Sequence, residues 1–351
     1  MKQPAKYQQL ADRLRSDILS GDYQVGQRLP SENELGVTSS LSRQTVRQAL
    51  ALLETEGLIE RRQGSGSIVT KVTAHREQSR NVAVITTYIS EYIFPDILRG
   101  IEEILAQNNY SPIISATKNR VDNERKLLED FLGKNLDGLI IEGTKTALPN
   151  PNIDLYQKFY NLGIPIVFVH GYYPDLKNPI YVIANDFEGG EQATNFLINK
   201  GHKKIAGLFK SDDIQGHRRY AGYINALKKN GLPINDDHIL WYTTESRKSL
   251  ISSSALEIIG DCTAVVCYND EVGVQVLSIL QDAGKAIPED VAIISFDNSI
   301  YSELASVKIT SCSQHKKQTG MLAAEKLLNL IHGIPQSSTV LPWTITEKKS
   351  T

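Results

Sequence analysis

Cysteine is scarce: Cys262, Cys267 and Cys312 are the only three in 351 residues. An odd count without CxxC spacing argues against a disulfide framework and against a zinc site. The three read as reduced, mostly buried small apolar residues. Long hydrophobic runs are missing too, and none approaches the roughly 18 residues of a membrane helix. The opening MKQPAKYQQL lacks the apolar stretch of a secretory signal. These features lead us to expect a cytoplasmic chain without membrane contact. Nor does one sign of charge prevail. There are 38 Lys and Arg against 40 Asp and Glu, a net charge of −2. Taken alone, that balance argues against a nucleic-acid partner. Catalytic signatures are absent as well: no P-loop, G-x-S-x-G or H-E-x-x-H occurs. We therefore expect no enzyme, no cofactor and no metal.

What is present describes a globular protein. Apolar residues make up 41% and charged residues 22%, near the usual proportions. The length predicts two or three domains with a sizeable core. The charge balance conceals an asymmetry. Residues 1–80 hold 12 basic and 9 acidic residues, a net of +3, which leaves −5 on the remainder. A basic head on an acidic body suggests two tasks.

In the head, Tyr7, Leu10, Leu14 and Ile18 fall on one face of a helix over 5–20, stopped by Gly21. Ser31 and Glu34 form an S-x-x-E capping box for a second helix. Ser42 caps a third, with core face Val46, Ala49, Leu50 and Leu53 and an end at Gly57. Leu58–Arg62 and Ile68–Thr70 read as strands around a turn at Gln63-Gly64-Ser65-Gly66. Arg43, Gln44, Thr45 and Arg47 occupy the first turns of the third helix, off its core face. Such residues suit base edges in a major groove, where Arg forks onto guanine and Gln onto adenine. Arg61, Arg62 and Gln63 on the hairpin suit phosphate or the minor groove, and Lys6 suits a phosphate. The alternative, a merely solvated helix face, does not account for the whole pattern in register.

Residues 71–81 are polar and aperiodic, and read as a linker. Beyond them, short apolar runs recur at 82–85, 112–114, 138–141, 164–169, 205–209, 264–268 and 291–296, with amphipathic stretches between most of them. That rhythm predicts parallel sheets in βαβ units, and about 270 residues predict two such lobes. Ligands bind beyond the carboxyl ends of strands in sheets of this kind. The polar residues at those ends are Glu142, His170, Asn269, Asp270, Asp297, Asn298 and Gln314. Carboxylates and amides suit a neutral polyhydroxyl ligand, and Tyr88, Tyr92, Phe94 and Phe168 suit apolar sugar faces. His170 also reads as a structural histidine, and Asp186 as a cap for a helix from Phe187.

Two resemblances sharpen this reading. Residues 6–69, with LPSE-x-EL, SR-x-TVR-x-AL, EGLI and G-x-G in order, resemble the winged helix-turn-helix of the GntR family. The resemblance places Glu32, Arg43, Thr45, Arg47, Gln63 and Gly64 at DNA. Where that family has Ala-x-x-Phe-Gly-Val, this chain has Gly36 through Leu41. Gly36 inside a helix costs about 1 kcal/mol against Ala, so weaker packing of the second helix is expected. Residues 81–345 resemble the LacI/GalR type of periplasmic-binding-protein-like domain through NDFEGGEQATNFLINKGHKKIAGL, YNDEVG and IPEDVAIISFDNS. The usual Gly before the aromatic-Asp pair is here Ser295. This second resemblance implies sugar contacts at Glu142, Phe168, Arg219, Asn269, Asp297 and Gln314.

A GntR-type head on such a body is similar to the arabinose-responsive repressors of Gram-positive bacteria. GLIIE-x-TK-x-AL at 138–148, which contains Lys145, carries part of that likeness. It implies a homodimer on operator DNA with L-arabinose as effector. The expected organisation is a head over 1–70, a linker over 71–81 and a two-lobed effector-binding and dimerisation domain over 82–351. A transport or sensor binding protein and a carbohydrate hydrolase are the competing readings.

Overall fold

A computed structural model describes residues 5–20, 22–62, 66–70 and 78–351. Most of the expected linker lies outside the described residues, and so do Gln63 and Gly64 of the hairpin turn.

Apolar spacing builds the head. Leu10, Ala11, Leu14 and Ile18 of α1 (Lys6–Ser20) are buried against Val46, Ala49, Leu50 and Leu53 of α3 (Arg43–Thr55). Between them α2 (Glu32–Ser39) starts at the expected capping box. The Ser31 N–H donates to Glu34 Oε2 at 2.7 Å, and the Glu34 N–H to Ser31 Oγ at 3.3 Å. Ser42 accepts from the Thr45 N–H at 3.2 Å and caps α3. The strands β1 (Ile59–Arg62) and β2 (Gly66–Val69) pair antiparallel. The unusual Gly36 has a use here. A Cβ on it would lie 3.2 Å from the Leu41 carbonyl oxygen, where the chain folds back after α2. The Leu41 N–H donates to the Gly36 carbonyl at 3.0 Å. The Ser39 hydroxyl donates to the Leu35 carbonyl one turn back.

The body is two six-stranded sheets. In the first lobe the strands lie in the spatial order 111–116, 81–86, 138–142, 166–169, 180–184 and 339–341, all parallel. Successive residues feed opposite faces: Val82 and Val84 join one core cluster, Ala83 and Ile85 the other. The second lobe runs 239–242, 205–210, 264–267, 292–296, 310–313 and 344–346, with only the last strand antiparallel. All seven expected apolar runs are strands. The runs not singled out, including 239–242, 339–341 and 344–346, are mostly short edge strands.

The chain passes between the lobes three times: at 184–186, 313–316 and 341–344. Each lobe is also pinned by a helix pair crossing glycine on glycine. Phe94–Gln107 meets Lys316–Ile331 at Gly100 and Gly320. Asp186–Asn199 meets Ile214–Lys229 at Gly190 and Gly222. A Cβ on Gly190 would come within 2.1 Å of the Arg219 carbonyl oxygen, and one on Gly222 within 2.0 Å of that of Phe187. Only bare Cα atoms permit that approach, and it fixes where Arg219 stands.

Candidate functional site

Two surfaces carry the expected chemistry. On the head, Arg43, Gln44 and Arg47 are exposed on the first turns of α3, Thr45 is half-buried and Lys6 is exposed at the start of α1. Glu32, half-buried at the start of α2, lies 3.3 Å from the Arg47 guanidinium. Arg61 donates to the Arg47 carbonyl at 2.9 Å, and Arg62 pairs with Glu60 at 3.0 Å. Thus α3 and the hairpin form one linked basic face. Exposed pairs of this kind are weak, so each arginine can exchange its carboxylate for a phosphate or base.

The second surface is the cleft between the lobes. Its cavity volume is about 170 Å³. Tyr92, Phe94, Glu142, Arg219, Asn269, Asp297 and Gln314 line it, and Tyr88 and His170 join them. Ala184, Asp186, Gln314 and Trp343, at the three crossovers, form part of the same wall.

Arg219 organises one side. It lies 2.9 Å from Asp186 and 3.8 Å from Asp297, and donates to the Tyr268 carbonyl at 2.5 Å. Its guanidinium sits over the rings of Phe296, Tyr268 and Trp343, 4.4 to 5.1 Å from their centres. Burial disfavours its charge, but Asp186 and Asp297 outweigh that and hold it protonated. Burial raises the Asp186 carboxyl despite this partner. Asp297 and Asn298 take left-handed backbone, with φ of 93° and 44°. Strain of this kind collects at functional sites. Tyr92, from the other lobe, donates to Asp297 Oδ2 at 2.5 Å, and its hydroxyl accepts from the Asp270 N–H at 3.2 Å.

Glu142 and His170 organise the opposite side, 3.1 Å apart. Thr87 N–H donates to Glu142 Oε2 at 2.8 Å. Burial pushes the Glu142 carboxyl up, yet His170 and Thr87 prevail and hold it below the ordinary range. Burial pushes His170 down, yet Glu142, with help from Asp297 and Asp186, raises it. The two form a buried hydrogen-bonded pair facing the cleft, an ion pair when His170 is protonated. Three lining side chains keep a buried polar atom without a partner among the described residues: His170 Nε2, Tyr242 OH and Trp343 Nε1.

Several expectations need correction. Phe168 does not reach the cleft. It points to the opposite sheet face from Val167 and Val169 and packs on Tyr156 and Tyr173. Lys145 lies outside the cavity wall, with its ammonium 2.6 Å from Glu245. Asp186 is no helix cap: Asn185 caps that helix, accepting from the Glu188 N–H at 3.3 Å. Asp270 is a structural anchor, accepting from Ser295, Ser299 and Ser311. Ser295, in place of glycine, is thereby satisfied. The sequence reading passed over Thr87, Lys210, Asp213, Arg247 and Glu271, all in the wall. Lys210 pairs with Asp213 and Arg247 with Glu271. The KSDD stretch carried the first signal, since a charged cluster ends a buried strand.

Among the described residues, His238, Asp261 and Cys262 come close enough to share a metal ion. Lys204 already sits on Asp261, and burial pushes the Cys262 thiol up to about 11.

Residues 6–69 match the bacterial regulatory proteins of the gntR family, and residues 194–351 match the periplasmic binding protein-like domain. The chain is 37% identical to an arabinose metabolism transcriptional repressor of Halalkalibacterium halodurans, over 93% of this chain and 89% of that one. The chain belongs to the family of arabinose metabolism transcriptional repressors. A second member, from Geobacillus stearothermophilus, is 37% identical over 93% of this chain and 91% of its own. The transcription regulator CcpA of Lactococcus lactis shares the body fold: TM-score 0.69 and 29% identity, over 77% of this chain and 98% of that one. Members of this repressor family are regulators and not enzymes. Among the described residues no helix is long and apolar enough to cross a membrane.

Proposed function

We propose that this repressor binds operator DNA as a homodimer in the cytoplasm and is released by L-arabinose. The expected boundaries, 1–70 for the head, 71–81 for the linker and 82–351 for the body, go with that reading. One observation carries the effector half: a monosaccharide-sized cleft whose wall alternates carboxylates, amides and aromatic rings. Each sugar hydroxyl both donates and accepts, and carboxylates beside N–H donors satisfy both roles. Glu142, Arg219, Asn269, Asp297 and Gln314 hold the hydroxyls, and Tyr92 and Phe94 cover apolar faces. Trp343, His170 and Tyr242 supply the polar atoms still unpartnered.

Lys6, Glu32, Arg43, Gln44, Thr45, Arg47, Gln63 and Gly64 form the DNA contact, with Glu32 orienting Arg47. The sugar draws the lobes together and changes the dimer's geometry, so that two heads no longer match two half-sites. The names of the 37%-identical relatives support arabinose over other monosaccharides.

The test is calorimetry of the whole protein against L-arabinose, D-xylose, D-ribose and D-glucose, beside a gel shift on operator DNA. L-arabinose should bind and release the DNA. Release by another sugar alone, with no heat from L-arabinose, overturns the effector assignment. Asp297→Ala should leave DNA binding intact and abolish release.

A further inference from the structure

The crossovers hold the lobes together along one edge of each sheet, at strands 180–184 and 339–341 in one lobe and 310–313 and 344–346 in the other. At the opposite edge the lobes touch again. Asn119 follows edge strand 111–116, and its Nδ2 donates across the cleft to Thr244 Oγ1, just after edge strand 239–242, at 2.5 Å. Lys145 reaches across to Glu245 at 2.6 Å and Asp212 at 3.7 Å. The Ile214 N–H donates across to Thr146 Oγ1 at 3.1 Å, and the Ala147 N–H to the Asp212 carbonyl at 3.3 Å.

These contacts are built with care. Asn119 Oδ1 accepts from the Lys145 N–H at 2.9 Å, which joins two loops of the first lobe into one unit. In the second lobe Asp212 accepts from the Thr244 N–H at 3.0 Å and its hydroxyl at 2.8 Å. Asn119 and Asp212 are each 1% exposed. Lys118, Asn119 and Lys145 all take left-handed backbone, with φ of 55°, 53° and 46°. Such conformations persist only where the surroundings fix them. Asn119, Lys145 and Asp212 do not line the cavity.

We propose that Asn119, Lys145 and Asp212 are positioning residues that form a latch. It holds the lobes closed and sets effector affinity without touching the effector. At the edge farthest from the crossovers, a hinge motion separates these groups most. Closure makes the latch and opening breaks it. An effector that needs the closed form binds with an apparent affinity scaled by the closed fraction. This inference rests on the effector reading above.

Two variants test it. Lys145→Gln removes the ammonium. Asn119→Asp keeps the acceptor and the left-handed backbone, but replaces the crossing donor with a charge near Asp213. Calorimetry should show a dissociation constant for L-arabinose about tenfold higher in each variant. Affinity for operator DNA in sugar-free protein should stay within twofold, and Lys145→Arg should restore sugar binding. Wild-type sugar affinity in both variants, or a parallel loss of DNA binding, overturns the latch.

Amide hydrogen exchange at Ile214 reads the latch without any sugar. It should quicken in both variants, and unchanged exchange also overturns the proposal. If the unaltered protein gives no heat with L-arabinose, the effector reading fails, and the exchange result still decides the latch.

Discussion

Removing Arg219 leaves Asp186 and Asp297 facing each other in a buried pocket, with three aromatic rings closing on the gap. Breaking a buried pair by deleting one partner costs about 3–5 kcal/mol. Arg219→Ala should therefore lower stability by that order in urea denaturation of the full chain, beyond any effect on sugar binding. The Glu142–His170 pair makes a pH prediction. Glu142 is lowered from its ordinary value of 4.5, so its contribution holds above that value and fades as pH falls through the folded one. His170 is raised from 6.5, so its contribution holds below 6.5 and fades as pH rises through the folded value. The pair therefore stabilises most in mildly acidic solution. Thermal melts should show the wild type losing stability as pH rises above 6.5, a loss that His170→Gln does not show. Equal slopes would refute the pair. Arg219, Asn269 and Asp297 were legible because each stands in a motif of the family or just after a buried strand. Phe168 was not, because a strand buried on both faces reads as continuously apolar and hides which side chain points where.

Elements position these residues through contacts that a sequence does not announce. Gly190→Ala should drive the two second-lobe helices apart, since the added methyl meets the Arg219 backbone. The expected outcome is a lower melting temperature together with weaker sugar binding, because Arg219 moves with its helix. In the head, Gly36→Ala should bring none of the roughly 1 kcal/mol that helix propensity promises. Its methyl crowds the Leu41 carbonyl, and a clear rise in the melting temperature of the head would contradict this account. Arg47→Ala should cost about 1–3 kcal/mol of specific operator binding in gel shifts. The seven apolar runs were readable as strands because parallel sheets bury both faces. Edge strands such as Thr339–Leu341 and Thr344–Thr346 were not, since half-exposed threonines carry little hydrophobic signal.

For the whole molecule, the proposed mechanism has DNA and sugar acting on one equilibrium between open and closed forms. If the sugar weakens operator binding by some factor, operator DNA must weaken sugar binding by the same factor. Paired titrations, sugar into protein with and without DNA, should return equal factors. The near-zero net charge also gains its meaning at this scale: a basic head and an acidic body cancel in the sum. The three crossovers have a mechanical consequence. One connection would let the lobes swivel freely, whereas three side by side leave a single axis of bending. Ala184, Asp186, Gln314 and Trp343 stand both on that axis and in the ligand's wall. Recognition and stiffness are thus written in the same few residues. A substitution there that retunes which sugar fits will also retune how readily the molecule bends, so selectivity and switching threshold should drift together.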